Sequence, residues 1–333
     1  MNSPEGKPAV IGFDINFIAE RDEEDDAAFA EAAKAHGNVV TGSRVGFSVV
    51  QEEQGDSFVT NRMHVDYMEY PYRALREVSF HGFTNTILEE DNYVRRGVLN
   101  VDTEEGPEYH FAYEVYKRYL KQKGEEPELP KTDGNGVFGI RYIAPPENYE
   151  VFHWNDVVNG VHKPERFRDA IVLVGAYMPG MQDDYNVPFG GGVQMYGVEI
   201  HANIVDGLLR GYSYQIVPEW LVNCINLVLC MVYFFLLRKI SPVLGVVVGG
   251  VLVTGYLAGA TWLYSEGWYL FPAAFVLYVI CMAAVHVIGR YLLEWFGKRK
   301  LLNEFKKYVA PQVLAEMNRS GEFSVKLGGR AET

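Results

Sequence analysis

Five side chains of the 333-residue sequence have the type and placement to hold a ligand: Asp14, Asp183, Asp184, His201 and Asn203. Asp14 closes the apolar run Val10-Ile11-Gly12-Phe13, which sets a carboxylate at the end of a buried strand. Asp183 and Asp184 follow Gly180 and form either a ligand pair or a turn. His201 and Asn203 lie in a helical stretch, where a histidine reads as a satisfied packing residue before it reads as a ligand. None of these spacings makes a catalytic set. The sequence has no Walker-type phosphate loop, no Cys-x-x-Cys pair and no Gly-x-Ser-x-Gly elbow. Gly190-Gly191-Gly192 lacks the Lys-Ser/Thr that a phosphate loop needs, so it reads as a flexible turn. The acid run Asp22 to Asp26 could attract a cation, but acids favour the positive end of a helix, which makes it a solvated helix start. No catalytic residue, no metal site and no cofactor is expected within the chain.

The elements that must position these groups follow from periodicity. Residues 10–15 read as a buried strand, and Asp25 to His36 as a helix ended by Gly37-Asn38. Val39-Val40 opens a second strand, giving a strand–helix–strand unit with parallel pairing. Ile171 to Gly175 is another buried strand. Tyr196 to Leu209 is a helix with Val198, Ile200, Ile204, Leu208 and Leu209 on one side. Lys121 to Asn135 reads as a loop.

Charge divides the chain. Residues 1–217 hold 19 Lys+Arg against 36 Asp+Glu, net -17, and residues 218–333 hold 11 against 7, net +4, giving -13 in all. An acidic surface does not grip nucleic acid, which needs a basic face. The second part carries three apolar runs, at about 220–237, 243–264 and 268–293, each near the roughly 20 residues that cross a bilayer core. Such runs must be helices, because backbone groups find no partner in lipid. Gly245, Gly249, Gly250, Gly255 and Gly259 suit close helix contact in the second. Cys224, Cys230 and Cys281 all fall within the runs and read as small apolar residues.

Basic residues set the orientation. Arg238 and Lys239 fill the first gap, Ser265-Glu266-Gly267 the second, and Lys298, Arg299 and Lys300 follow the third run. The positive-inside rule puts the first gap and the C-terminus in the cytoplasm and residues 1–217 outside. The first ten residues carry no export signal, so either an upstream hydrophobic segment precedes them, which is the expectation, or residues 1–217 are cytoplasmic and the positive-inside reading fails.

Four stretches resemble the CHASE domain of type 2, an extracytoplasmic sensor module of bacterial receptors. They are 10–17 with 25–40, then 82–85 with 91–99, then 154–160 running into 166–189, and last 197–209. The resemblance spans residues 8 to about 215. In that family three membrane helices follow the sensor. Residues 304–333 look like the segment that leads into class III adenylate/guanylate cyclases, through Phe305, Tyr308, Val309, Pro311, Val313 and the Gly328-Gly329 turn. A catalytic domain using Mg or Mn would begin past Thr333, so no nucleotide-binding residue can be assigned here.

The expected fold is therefore an α/β extracytoplasmic sensor domain (1–217), an all-α three-helix transmembrane region (218–293) and a juxtamembrane linker helix (294–333). The expected function is the sensing and transmitting segment of a cyclase in the bacterial inner membrane. Arg210 and Pro218 bound the connection to the first membrane helix, and Phe305, Tyr308, Val309 and Pro311 carry the signal inward. The expected partners are membrane lipid, an unidentified extracytoplasmic ligand and a second copy of the chain. A histidine or Ser/Thr kinase output, or a non-signalling membrane protein, are the alternatives.

Overall fold

The computed structural model describes residues 3, 5–53, 59–133, 135–178, 180, 181, 183–189 and 191–305. The chain divides into two compact units. One is Met1–Val217 together with Leu263–Leu270, and the other is Pro218–Trp262 together with Phe271–Thr333.

In the first unit the elements run β1 (Val10–Asn16), α1 (Glu23–His36), β2 (Val39–Glu53), β3 (Val59–Glu69), α2 (Arg73–Arg76), β4 (Phe80–Phe83), β5 (Thr86–Leu88), β6 (Val94–Val98), β7 (Asn100–Thr103), β8 (Gly106–Tyr109), α3 (Phe111–Lys123), β9 (Val137–Gly139), α4 (Trp154–Val158), β10 (Ile171–Val174), β11 (Asp184–Tyr185), β12 (Met195–Tyr196), α5 (Gly197–Leu209) and β13 (Gln215–Ile216). The central sheet is parallel in the order β10-β1-β2-β4, and β3 adds antiparallel to the later half of β2.

Side chains alternate across β1 with period two. Val10 faces α3 and α5, in one cluster with Val40, Phe111, Val115, Ile200 and Ile204. Ile11 and Phe13 face the opposite way and pack with Ala33, Tyr72 and Leu75. Helices thus cover both faces of a parallel sheet, as its buried strands require. Gly12 is fixed by close approach, since a Cβ there would stand 2.9 Å from Leu173, Phe111 and Val115 side-chain atoms.

The acid run starts α1 as expected. Asp22 caps the helix by accepting from the Glu24 and Asp25 amides at 3.1 Å, and Gly37 ends it at φ 75°. Several expectations shift. Residues 121–123 belong to α3 rather than to a loop, because Gly124 at φ 78° is what stops that helix. Leu209 does not join the buried side of α5; it is 40% exposed while Val198, Ile200, Ile204 and Leu208 are buried. Asp184 begins a two-residue ladder opposite Tyr196, and Asp183 stands just before it.

The second unit holds α6 (Glu219–Leu237), α7 (Pro242–Ser265, its last turn assigned to the first unit) and α8 (Ala273–Phe305), three helices long and apolar enough to cross a membrane. Between α7 and α8, β14 (Trp268–Tyr269) pairs in parallel with β13. The third apolar run therefore opens as a strand, and its helix starts only at Ala273. Tyr233 is fully buried against α7, its hydroxyl donating to the Gly245 carbonyl at 3.0 Å. A Cβ at Gly249 would stand 2.7 Å from that hydroxyl. Gly245 and Gly249 thus make the close approach, whereas Gly250, Gly255 and Gly259 have nothing within 4 Å. Much of the surface is apolar, with Leu227, Val251 and Val285 exposed, as suits helices whose solvent is lipid. At 1.5 Å per residue the 33 residues of α8 extend about 50 Å, well beyond a hydrocarbon core of roughly 30 Å.

Candidate functional site

Strand β1 has β2 on one side and β10 on the other, so the chain leaves it in one direction and returns on the opposite side. Parallel α/β sheets bind ligands at such a switch point, at the carboxyl ends of the strands. Asp14 stands there. Pairing of β1 with β10 ends at Phe13↔Val174, and the register against β2 shifts between Phe13 and Asn16, which frees Asp14 from both ladders. The next residue on the β10 side is Gly175, where a Cβ would lie 3.3 Å from the Asp14 Cβ and 2.8 Å from Val198.

Helix α5 aims its N-terminus at the same place. The Gly197 amide donates to the Asp183 carbonyl at 2.9 Å, and the Asp183 carboxylate lies so close that a Cβ on Gly197 would meet its Oδ1 at 2.6 Å. One turn further, His201 Nε2 stands 3.6 Å from Asp14 Oδ1. That is too long for a hydrogen bond. The Asp14 side chain is one-tenth exposed and accepts no hydrogen bond among the described residues.

Burial decides the electrostatics. It pushes Asp14 up to about 7 and His201 down to about 3, so both groups favour their neutral forms near pH 6. Asp183 is raised to about 6, first by burial and then by the charge of Asp14, against a hydrogen bond from the Tyr185 hydroxyl. The result is two carboxyls that titrate near neutrality in one crevice.

Behind them is a residue that periodicity did not single out. His110 caps α3, its Nδ1 accepting from the Ala112 amide at 3.2 Å. A neutral ring that accepts at Nδ1 carries its proton on Nε2. That nitrogen is buried without a partner, as is His201 Nδ1, and the two rings are 5.2 Å apart. His201 is thus buried but not satisfied, contrary to the packing expectation. Its neutral charge state is held by desolvation, well below the usual histidine range.

The other expected residues do different work. Asn203 is saturated. Its Oδ1 accepts from the Ile143 and Ala144 amides at 2.8 and 2.9 Å, and its Nδ2 donates to the Glu199 carbonyl at 3.1 Å. It pins residues 143–144 to α5 and has no capacity left for a ligand. Asp184 contributes backbone pairing. Glu199, also unmarked in the sequence, accepts from the Glu147 amide at 2.8 Å and is raised by burial. The Tyr177 and Tyr196 rings meet beside it, 4.5 Å apart and tilted by 44°. Among the described residues no group of three His, Cys, Asp or Glu could hold a metal ion. A Gly-x-Gly-x-x-Gly spacing that motif reading passed over occurs at 134–139. It leads into β9 rather than into a helix, so it lacks the helix terminus that a dinucleotide phosphate needs.

The exit from the site is a built structure. Arg210 ends α5 in a two-pronged contact with Asp206 at 2.7 and 3.3 Å. Tyr214 then lies across Gly139, where a Cβ would fall 1.9 Å from the ring, and its hydroxyl donates to the Arg95 carbonyl at 3.2 Å. The Gln215 and Val217 amides donate to the Gly267 and Tyr269 carbonyls, both at 2.9 Å. Tyr264 and Tyr269 flank the Tyr214 ring at 5.7 and 5.5 Å with tilted planes, and Arg141 covers Tyr264. The segment between α7 and α8 is therefore part of the sensor unit, which no count of apolar residues reveals. Pro218 immediately precedes α6. Phe305 ends α8, while Tyr308, Val309 and Pro311 lie outside the described residues.

Comparison with protein families finds that the CHASE2 domain matches residues 4–237. No curated protein and no solved structure matches the chain.

Proposed function

The chain belongs to the CHASE2 domain family of extracytoplasmic sensors found in signalling proteins, and from that premise we propose that it is the sensing and transmitting segment of an adenylate or guanylate cyclase in a bacterial inner membrane. The observation that carries this reading is the order of parts. A sensor is followed by three helices apolar enough to cross a membrane, the last of which runs on unbroken to Phe305. The sequence from Phe305 onward has the Phe-x-x-Tyr-Val-x-Pro-x-Val pattern and the Gly-Gly turn that resemble a cyclase lead-in.

The switch-point crevice of Asp14 and Asp183 is the sensing site in this proposal. A ligand that favours one charge state of the crevice would reset the start of α5. The other end of α5 leads through Arg210 and β13 into α6, and β13 is paired with β14, which leads into α8. One shift at the site therefore reaches two membrane helices. A useful switch needs a differential affinity worth a few kcal/mol, up to about 5.5 for a near-complete population change. The linker after α8 would pair with a second copy, because class III catalytic sites form between two catalytic domains. The Mg or Mn ion belongs to that domain and not to this chain.

The experiment is to reconstitute the full parent protein with ATP or GTP and Mg²⁺ or Mn²⁺. Cyclic nucleotide formation is the expected result. Autophosphorylation without cyclic nucleotide would replace the cyclase with a kinase output.

A further inference from the structure

The membrane unit carries a groove of 510 Å³ between α6 and α8. Its floor is apolar, with Phe234, Leu237, Met282 and Val285 among the lining residues. Two arginines are among its lining residues, Arg238 from the end of α6 and Arg290 from α8. Both are exposed, and neither forms an ion pair among the described residues. No acidic side chain lines the groove. Partway along it His286 has its Nε2 buried without a hydrogen-bond partner.

We propose that this groove binds one anionic phospholipid of the cytoplasmic leaflet, its phosphate held between Arg238 and Arg290 and an acyl chain lying toward Cys281. The dimensions suit this. The lining runs along α8 from Cys281 to Leu293, about 18 Å at 1.5 Å per residue. One leaflet of the hydrocarbon core is about 15 Å deep. The cations gather at the end of the groove that the distribution of Lys and Arg assigns to the cytoplasm, and the apolar floor lies toward the bilayer middle. Basic pockets between helices on that side suit anionic head groups, which phosphate–guanidinium pairing strengthens through paired N–H donors. A zwitterionic lipid offers the same acyl chains but brings a cation to two arginines. The groove lies beside α8, the helix that leads into the linker, so the lipid would set the rest position of that output helix.

This inference rests on the membrane orientation and not on the cyclase reading, so absence of cyclic nucleotide leaves it standing. The test is native mass spectrometry of the full chain released from detergent with phosphatidylglycerol or phosphatidylcholine added. One tightly retained phosphatidylglycerol is expected, with phosphatidylcholine lost more readily. Arg238→Ala and Arg290→Ala should each weaken retention about fivefold and the double variant about twenty-five-fold, following roughly 1 kcal/mol per basic residue at an anionic surface. Arg290→Lys should restore most of it. Equal retention of the two lipids, or a double variant that keeps phosphatidylglycerol like the wild type, would overturn the proposal. So would a second copy seated in the groove. Gly289 lines it with open space around its Cα, and Gly289→Cys would then cross-link between copies whether or not anionic lipid is present.

Discussion

Replacing Asp14 with Asn removes one titrating group and keeps its size and polarity. In the folded chain Asp14 is raised from 3.8 to about 7 by burial. Between pH 4 and 7 the folded state therefore holds a proton that the unfolded chain has released, and stability falls as pH rises. Three units at about 1.4 kcal/mol each give about 4 kcal/mol lost by pH 7. His201 works in the opposite sense. It is lowered from 6.5 to about 3, so its contribution is complete above pH 6.5 and is lost as pH falls toward 3. Over pH 4–6.5 the two slopes oppose one another, with Asp183 adding to the first and buried His110 to the second. The wild type should accordingly show a shallow pH dependence. Asp14→Asn should be more stable than wild type by about 4 kcal/mol at pH 7 and nearly equal to it at pH 4. The difference should grow by about 1.4 kcal/mol per pH unit. Denaturant unfolding of the full chain in detergent micelles, followed by near-ultraviolet circular dichroism from pH 4 to 8, measures this. Parallel curves for the two proteins would refute the burial argument. A carboxyl carbon of Asp14 titrating below pH 4.5 by NMR would do the same.

Three other perturbations reach different parts of the chain. Asn203→Ala strands the Ile143 and Ala144 amides in a buried place and should cost about 2–5 kcal/mol in the same unfolding assay, whereas a ligand-only residue would cost almost nothing. Gly139→Ala forces the Tyr214 ring aside and should destabilise by about 1–3 kcal/mol, with faster hydrogen exchange at the Gln215 and Val217 amides; unchanged exchange there would detach Tyr214 from the β13–β14 pair. Alkaline phosphatase fused after Ser265 should be active and after Lys300 silent, since the enzyme folds only outside the cytoplasm; the reverse pattern would invert the orientation.

The parts of this fold that the sequence announces are those whose burial is periodic. Strand β1, helix α1, strand β10 and helix α5 each meet a core on a fixed face, and the three apolar runs are apolar both where they pack on one another and where they are exposed. The long hairpin of β2 and β3 was not announced, because only the first residues of β2 are a continuous apolar run and the rest is polar enough to pass for a loop. Trp268 and Tyr269 were read as membrane residues because composition cannot distinguish an aromatic in lipid from one in a two-residue strand. Their partner β13 lies across two membrane crossings in sequence, and no local pattern carries that information. At the site, Asp14 was visible as a carboxylate closing an apolar strand. His110 was not, since its place beside His201 depends on α3 and α5 meeting over the sheet. Asn203 shows the opposite error. A polar residue inside an apolar helix face looks like a ligand, and here its neighbours are backbone amides of a loop sixty residues upstream.

The β13–β14 pair has a consequence for how the protein is made. Gln215 leaves the ribosome with the rest of the sensor, but the strand it must pair with comes only after α6 and α7 have been synthesised. At roughly 5–20 residues per second, that partner is about 3–10 s late. Until it arrives, the Gln215 and Val217 amides face water and Tyr214 has neither aromatic neighbour. The sensor unit therefore cannot close this edge before the residues that follow α7 have been synthesised. The same short strand thus makes completion of the sensor unit wait on the synthesis of α6 and α7.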